Sequence, residues 1–322
     1  MENKNIKDIE NEKTEPVVKE IKTMEDEEII DRKWKRYAFQ IGLYSFLVFF
    51  AFFVVTPFYW MVLTSLKTAT QIKSELVPSL WISIKDMQFV NYKTVLTDPN
   101  FEFVRFMGNT LLVAFISTVG TVLTTILASF AFARLNFRGR DILFMLLLAT
   151  MMIPGEMFVI TNYITVTRDF GWNTDSQTFV TAMLAMTTPF MTSVFYIFFL
   201  RQTFKSIPDE LYLAAKVDGT SDFKYLWRIL VPIASPTIIT ITILNAMGTW
   251  SAYIWPTLVA RKPEYRLITS GLREYFDKGF EGPPDYNLVM AAAVVVTLPL
   301  LIVFMFLKRY IMRGVSRAGI KG

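Results

Sequence analysis

The chain has 322 residues, a net charge of +5 and a mean hydropathy of +0.38; 53% of its residues are hydrophobic, including 29 Phe and 16 Met. That is too apolar for a soluble domain of this length and points to an all-α polytopic membrane protein. It contains no Cys and no His, which excludes disulfides, thiolate nucleophiles, imidazole bases and the usual zinc or haem ligands.

Residues 1–36 mix Lys, Glu, Asp and Asn with few aromatics and read as a charged cytoplasmic tail, disordered or marginally helical. They lack an apolar h-region, so no cleavable signal peptide is expected. Arg32, Lys33, Lys35 and Arg36 stand directly before the first apolar run and place that end inside. The first span covers residues 37–63, longer than the ~20 apolar residues a crossing needs. Tyr59 and Trp60 at its far end suit an outer interface belt. Residues 64–104 read as an extracellular linker broken by Pro78, Trp81 and Pro99. A five-helix core is expected over residues 105–310, followed by a basic cytoplasmic tail over 311–322.

The second span, 106–132, carries Ala114, Ser117, Gly120, Thr124 and Ala128 at spacings of three and four, the pattern for close helix packing in lipid. A short basic inside loop follows, with Arg134, Arg138 and Arg140. The third span, 142–164, is interrupted by Pro154-Gly155-Glu156, which should loosen the backbone near mid-membrane. Glu156 is a rare ionisable residue in an apolar segment, and so a candidate for the transport path; a position at the outer end or at the cap of the restarted helix is the alternative. The fourth span is 179–200, with Arg201 and Lys205 at its inner end.

Residues 207–236 are polar and helix-forming, wedged between apolar runs. Pro208 suits a first helical turn with Ser206 as cap, and Asp209 and Glu210 complement the positive helix end. Leu211, Ala214, Ala215 and Asp218 fall at helical spacing on one side. Gly219 can leave the helix with positive φ, and Thr220 or Ser221 can cap a second helix. The expected object is a helix, a sharp corner and another helix, with two alanines open to a partner's backbone. The fifth span, 237–258, brings Asn245, Thr249, Trp250, Ser251 and Tyr253, polar and aromatic types suited to sugar hydroxyls and sugar faces. The sixth span is 288–307. Cationic excesses at 32–36, 134–140, 201–228 and 308–321 favour six transmembrane helices with both termini cytoplasmic, although the outer loop carries Arg261, Lys262, Arg266, Arg273 and Lys278.

Leu213-Ala214-Ala215-Lys216-Val217-Asp218-Gly219-Thr220-Ser221, with Ile229-Leu230-Val231-Pro232 and Pro236, resembles the EAA loop of ABC-importer permeases. Leu213 stands where the name-giving Glu would be. Asn109-Thr110-Leu111, the run from Ala131 to Arg140, Met152-Ile153-Pro154, Trp255-Pro256 and the ending Gly319-Ile320-Lys321-Gly322 resemble the carbohydrate, maltose-type subgroup over most of residues 38–322. Where that subgroup commonly has Trp-Asn-acidic in the fifth span, this chain has Trp250-Ser251-Ala252.

The resemblance implies a type I ABC-importer permease fold in a bacterial plasma membrane. It implies a second permease subunit as heterodimer partner, two cytoplasmic ATPase subunits, an extracellular solute-binding protein and a sugar substrate, with no nucleic-acid partner. The coupling loop, 206–230, would dock on an ATPase through Glu210, Leu211, Leu213, Ala214, Ala215, Asp218, Gly219, Thr220 and Ser221. No cofactor is expected on this chain; ATP and Mg would sit on the ATPases, in keeping with the lack of a G-x-x-x-x-G-K-[ST] loop in the sequence. A phosphorylated polyol or a peptide is the alternative cargo. A transporter working without ATPases would need paired intramembrane charges or repeats, which the sequence does not show. An intramembrane enzyme would need His, Cys or clustered carboxylates.

Overall fold

The computed structural model describes residues 6–75, 79–99, 101–278 and 285–319, with side chains described from residue 34 and, beyond 306, only at Lys308. Among the described residues every regular element is helical. The chain divides into two units, residues 1–60 and 61–322.

The first unit is helix α1, which runs Ile6–Ser65 and passes into the second unit at Met61. Helix α1 begins within residues 1–36, the charged stretch read from sequence as disordered or marginally helical. Opposite charges spaced i,i+4 in the sequence, such as Asp31 and Lys35, favour that helix. Phe39, Phe46, Phe49, Phe52 and Phe53 are exposed, an apolar surface all round of the kind a lipid-facing helix presents.

The second unit starts with a packed segment where a plain linker was expected. Thr68 and Gln71 form a reciprocal cap that opens α2, Ala69–Ser74. Helix α3, Val90–Thr97, sends the Asn91 amide to the carbonyls of Ser65 and Lys67 at 2.8 and 2.9 Å. Lys67 is buried and reaches Glu75 at 2.8 Å.

The long helix α4, Phe103–Arg134, is the axis of this unit. Helices α5, Arg140–Ala149, and α6, Met157–Ile164, belong to segments that meet at a 106° bend at Pro154-Gly155, where the sequence placed a break. Helices α7, Phe179–Thr187, and α8, Val194–Ser206, are bent by 53° at Met191–Ser193, a break the sequence reading missed. The small residues of α4 explain how that break is held. Thr121 and Thr124 donate their hydroxyls to the freed carbonyls of Phe190 and Met191 at 3.0 and 2.6 Å. Gly120 lies so close that a Cβ there would stand 2.7 Å from Met191 Cγ. Irregular backbone within a membrane segment needs such donors, since lipid supplies none.

After α8 come α9, Asp209–Val217, α10, Asp222–Tyr225, and α11, Val231–Ile233. The segment Asp222–Ile233 turns by 81° into α12, Ser235–Trp250, with Pro236 in the first turn of α12. The expected fifth span, 237–258, is corrected: α12 ends at Trp250 and the chain restarts as α13, Ile254–Val259. Helices α14, Ile268–Lys278, and α15, Tyr286–Gly319, complete the chain; α15 contains Pro299.

Three apolar clusters fill the unit. One joins Phe130, Leu200, Phe204, Tyr225 and Leu230; a second joins Met183, Met186, Trp255 and Val259; a third joins Phe101, Phe106, Tyr275 and Ala291. Among the described residues three helices are long and apolar enough to cross a membrane, and up to six spans result if each bent pair counts as one.

Candidate functional site

The corner forms as its residues dictate, with two changes. Ser206 ends α8, its hydroxyl bonding the Thr203 carbonyl at 2.8 Å, so Pro208 rather than Ser206 occupies the position before α9. Asp209 and Glu210 lie in the first turn of α9, as the helix dipole favours. At the far end Gly219 takes φ 70°, its N–H bonds Lys216 O at 3.0 Å, and Thr220 N–H bonds Ala215 O at 2.9 Å. Those bonds close the helix end. Ser221, not Thr220, caps α10 by accepting from Lys224 N–H at 3.4 Å.

The two arms are clasped. The Tyr212 hydroxyl donates to Asp222 at 2.6 Å, and Lys216 reaches the same carboxylate at 2.7 Å. Hydrogen bonding to Asp222 holds the Lys216 ammonium above its usual pKa, with a smaller opposing effect from burial. Tyr225, fully buried, packs edge-on against Tyr212 at 5.0 Å between ring centres. Arg134, at the end of α4, pairs with Asp209 and donates to the carbonyls of Phe204 and Ile207 at 2.7 and 2.6 Å. The corner is therefore tied to α4 and α8 as well as to itself.

This geometry splits the paired alanines. Ala215 is buried in the chain's own cluster with Tyr225 and Phe204, so it is not open to a partner. Ala214, Glu210, Leu213, Asp218 and Gly219 are exposed, as are Leu211 and Ser221, while Thr220 is half-buried. The outward face also carries Val217 at 86% exposure and Phe223 at 66%, which the sequence reading passed over. Their signal was available: Val217 follows Leu213 at i+4, and Phe223 lies just past the corner.

A cavity of about 230 Å³ lies among α4, α7, α8, α12 and α13, lined by Ser117, Phe190, Tyr196, Asn245, Thr249 and Trp255 among others. Of the expected path residues, Asn245 and Thr249 are in its wall. The Asn245 amide also donates to Thr118 on α4 at 3.2 Å. Trp250, Ser251 and Tyr253 are outside the wall, although Ala252, Trp255 and Pro256 of the same stretch are in it. Glu156 is exposed at the position before α6, where its side chain makes no capping bond, and it does not line the cavity. Ser117, Tyr196, Phe190 and Trp255 were missed as wall residues. Ser117 was visible only as one of the small residues of α4, and Trp255 only as a motif residue. Trp255 Nε1 donates to Ala185 O at 3.1 Å, which fixes its ring.

Sequence motifs also hold the chain between α13 and α14. Asn109 donates to the carbonyls of Glu264 and Arg266 at 2.9 and 3.0 Å, and Thr110 accepts from Ile268 N–H at 2.8 Å. Gln177 adds bonds to Val259 O and from Arg261 N–H at 2.8 and 2.9 Å.

Known proteins are similar to this chain in sequence and in fold. The arabinooligosaccharide transport permease AraQ of Bacillus subtilis is 28% identical over 285 residues, covering 88% of this chain and 96% of that protein. The sn-glycerol-3-phosphate transport permease UgpE of Brucella suis is 27% identical over 266 residues, covering 81% and 90%. A chain of a bacterial ABC transporter that imports the acidic polysaccharide alginate superposes with a TM-score of 0.74 at 22% identity, over 84% of this chain and 96% of that one, a likeness of fold. The family model for binding-protein-dependent transport system inner membrane components matches residues 120–317, and the chain belongs to that family.

Proposed function

We propose that this chain is the transmembrane permease subunit of an ATP-driven ABC importer for a sugar or oligosaccharide. It takes cargo from an extracellular solute-binding protein and passes it by alternating access. The observation that carries the reading is the clasped corner, which presents Leu213, Ala214, Val217 and Phe223 outward on a scaffold tied to α4 and α8. An apolar face of that kind, on a rigid arm between membrane segments, suits a docking partner.

The chain crosses a bacterial plasma membrane six times, three times in unbroken helices and three times in bent pairs, with both termini and residues 206–230 in the cytoplasm. Residues 64–104 then lie outside, 105–310 form the core, and 1–36 and 311–322 are the cytoplasmic ends. A second permease subunit completes the path as a heterodimer. Two ATPase subunits bind ATP and Mg, close on nucleotide, and draw the corners together; this chain transmits that movement and cleaves nothing. Nucleotide can shift the equilibrium between inward- and outward-open states only by its differential affinity for them.

The named cargo of AraQ supports the sugar reading, and that of UgpE supports a polyol phosphate as the second reading. Co-purification in mild detergent tests the assembly: ATPase subunits retained with this chain support it, and a chain that transports alone in proteoliposomes refutes it.

A further inference from the structure

The cavity walled by α4, α7, α8, α12 and α13 is neutral throughout. Among the described residues, every one in its wall is uncharged. Hydroxyls and amide come from Ser117, Thr249, Tyr196 and Asn245, and the rest of the wall is apolar or aromatic, with Phe190 and Trp255 edge-to-face at 5.4 Å. These are groups that satisfy sugar hydroxyls and cover a sugar's apolar face. They offer no counter-charge. A carboxylate or phosphate leaving water for such a wall loses its hydration and gains no ion pair in return. The volume, about 230 Å³, is below the roughly 300 Å³ at which pockets for drug-sized molecules begin, room on the scale of one sugar ring.

We infer that this cavity is a charge-selective station for a single uncharged sugar ring, and that it turns away phosphorylated and uronate cargo. The inference rests on the reading of the cavity as part of the cargo path, and this subunit's share of the wall favours the uncharged sugar over the polyol phosphate.

The sequence contains no Cys, so a single introduced cysteine is the one thiol this chain brings to the assembly, and its labelling is read on this chain after the subunits are separated. The full importer with its partner subunits, in lipid nanodiscs, would carry Thr249→Cys, or Ala252→Cys should the first variant assemble poorly; both positions line the cavity. Ile84→Cys, at 82% exposure outside the core, serves as the control. Each is modified with uncharged methyl methanethiosulfonate and with the anionic sulfonatoethyl reagent, nucleotide-free and after trapping with ATP and vanadate.

The expected result is that the anionic reagent, scaled to its rate at the control, is about tenfold slower than the neutral one at the cavity, a difference of about 1.4 kcal/mol. Equal scaled rates would overturn charge selection while leaving the path reading intact. Cavity rates for the neutral reagent that do not change on trapping would instead remove the cavity from the alternating path, and the inference would fall with it.

Discussion

Tyr212 on α9 and Asp222 on α10 meet across the corner, hydroxyl to carboxylate at 2.6 Å, and Lys216 closes on the same carboxylate from one turn along α9. Arg134 and Tyr225 tie this corner to α4 and α8, and on the proposed function the clasp lets it move as one body. Tyr212→Phe removes the hydroxyl and keeps the ring against Tyr225. It should cost about 1 kcal/mol of stability, the usual value of one such bond, and raise ATP turnover relative to transport. The ratio of ATP hydrolysed to cargo moved, in proteoliposomes, checks this; an unchanged ratio would show that the clasp does not serve coupling.

Gly219 is the pivot of the same corner. Its φ of 70° is one an L side chain adopts only with strain, and no atom lies within 4 Å of an added Cβ. The effect of a substitution is thus one of backbone alone. Gly219→Val should cost roughly 1–2 kcal/mol locally, uncouple ATP turnover from cargo-loaded binding protein, and leave membrane insertion intact. Gly219→Asn, a residue that tolerates this region, should retain most coupling.

Close packing decides a third outcome. A Cβ on Gly271 would stand 2.3 Å from the ring of Phe106, whereas one on Gly120 meets the more adaptable Met191. Gly271→Ala should lower stability by roughly 1–3 kcal/mol, more than Gly120→Ala, and Phe106→Leu should restore much of it. Thermal unfolding in detergent measures the order of the three; equal loss for both glycine variants would show that Phe106 yields as readily as Met191.

The Lys67 ammonium, helped by Ser79, holds the Glu75 carboxyl at about 2, below its ordinary 4.5. A carboxyl with a folded pKa below its unfolded one adds stability at neutral pH and loses it as pH falls from 4.5 towards 2. Wild type should therefore lose more thermal stability across that window than Glu75→Gln, which has no proton to take up. Parallel melting curves for the two would contradict the clasp.

How much of this was written in the sequence differs by element. Gly219, the flanking prolines and the acidic first turn of α9 made the corner legible, because each has a local backbone reason to be there. Pro154-Gly155 gave the 106° break for the same cause. The break at Met191–Ser193 was missed although Pro189 stands just before it; what holds it was harder to read. Its sustaining donors, Thr121 and Thr124, lie some 70 residues away in sequence and show there only as small residues. The burial of Ala215 beside an exposed Ala214 likewise depends on what α9 packs against, which periodicity of one helix does not specify. Trp250, Ser251 and Tyr253 were of the right chemical type for the cavity, but around the irregular turn between α12 and α13 it is Ala252 and Trp255 that reach the wall.

The central claim is that a separate ATPase grips the outward face of this corner. Leu213→Cys and Val217→Cys, each the sole cysteine of the chain, can be tested by short thiol crosslinking in the native assembly. The account predicts an adduct with an ATPase subunit at both positions and protection from soluble thiol reagents. Free labelling at both, or labelling by impermeant reagent from outside intact cells, would contradict it.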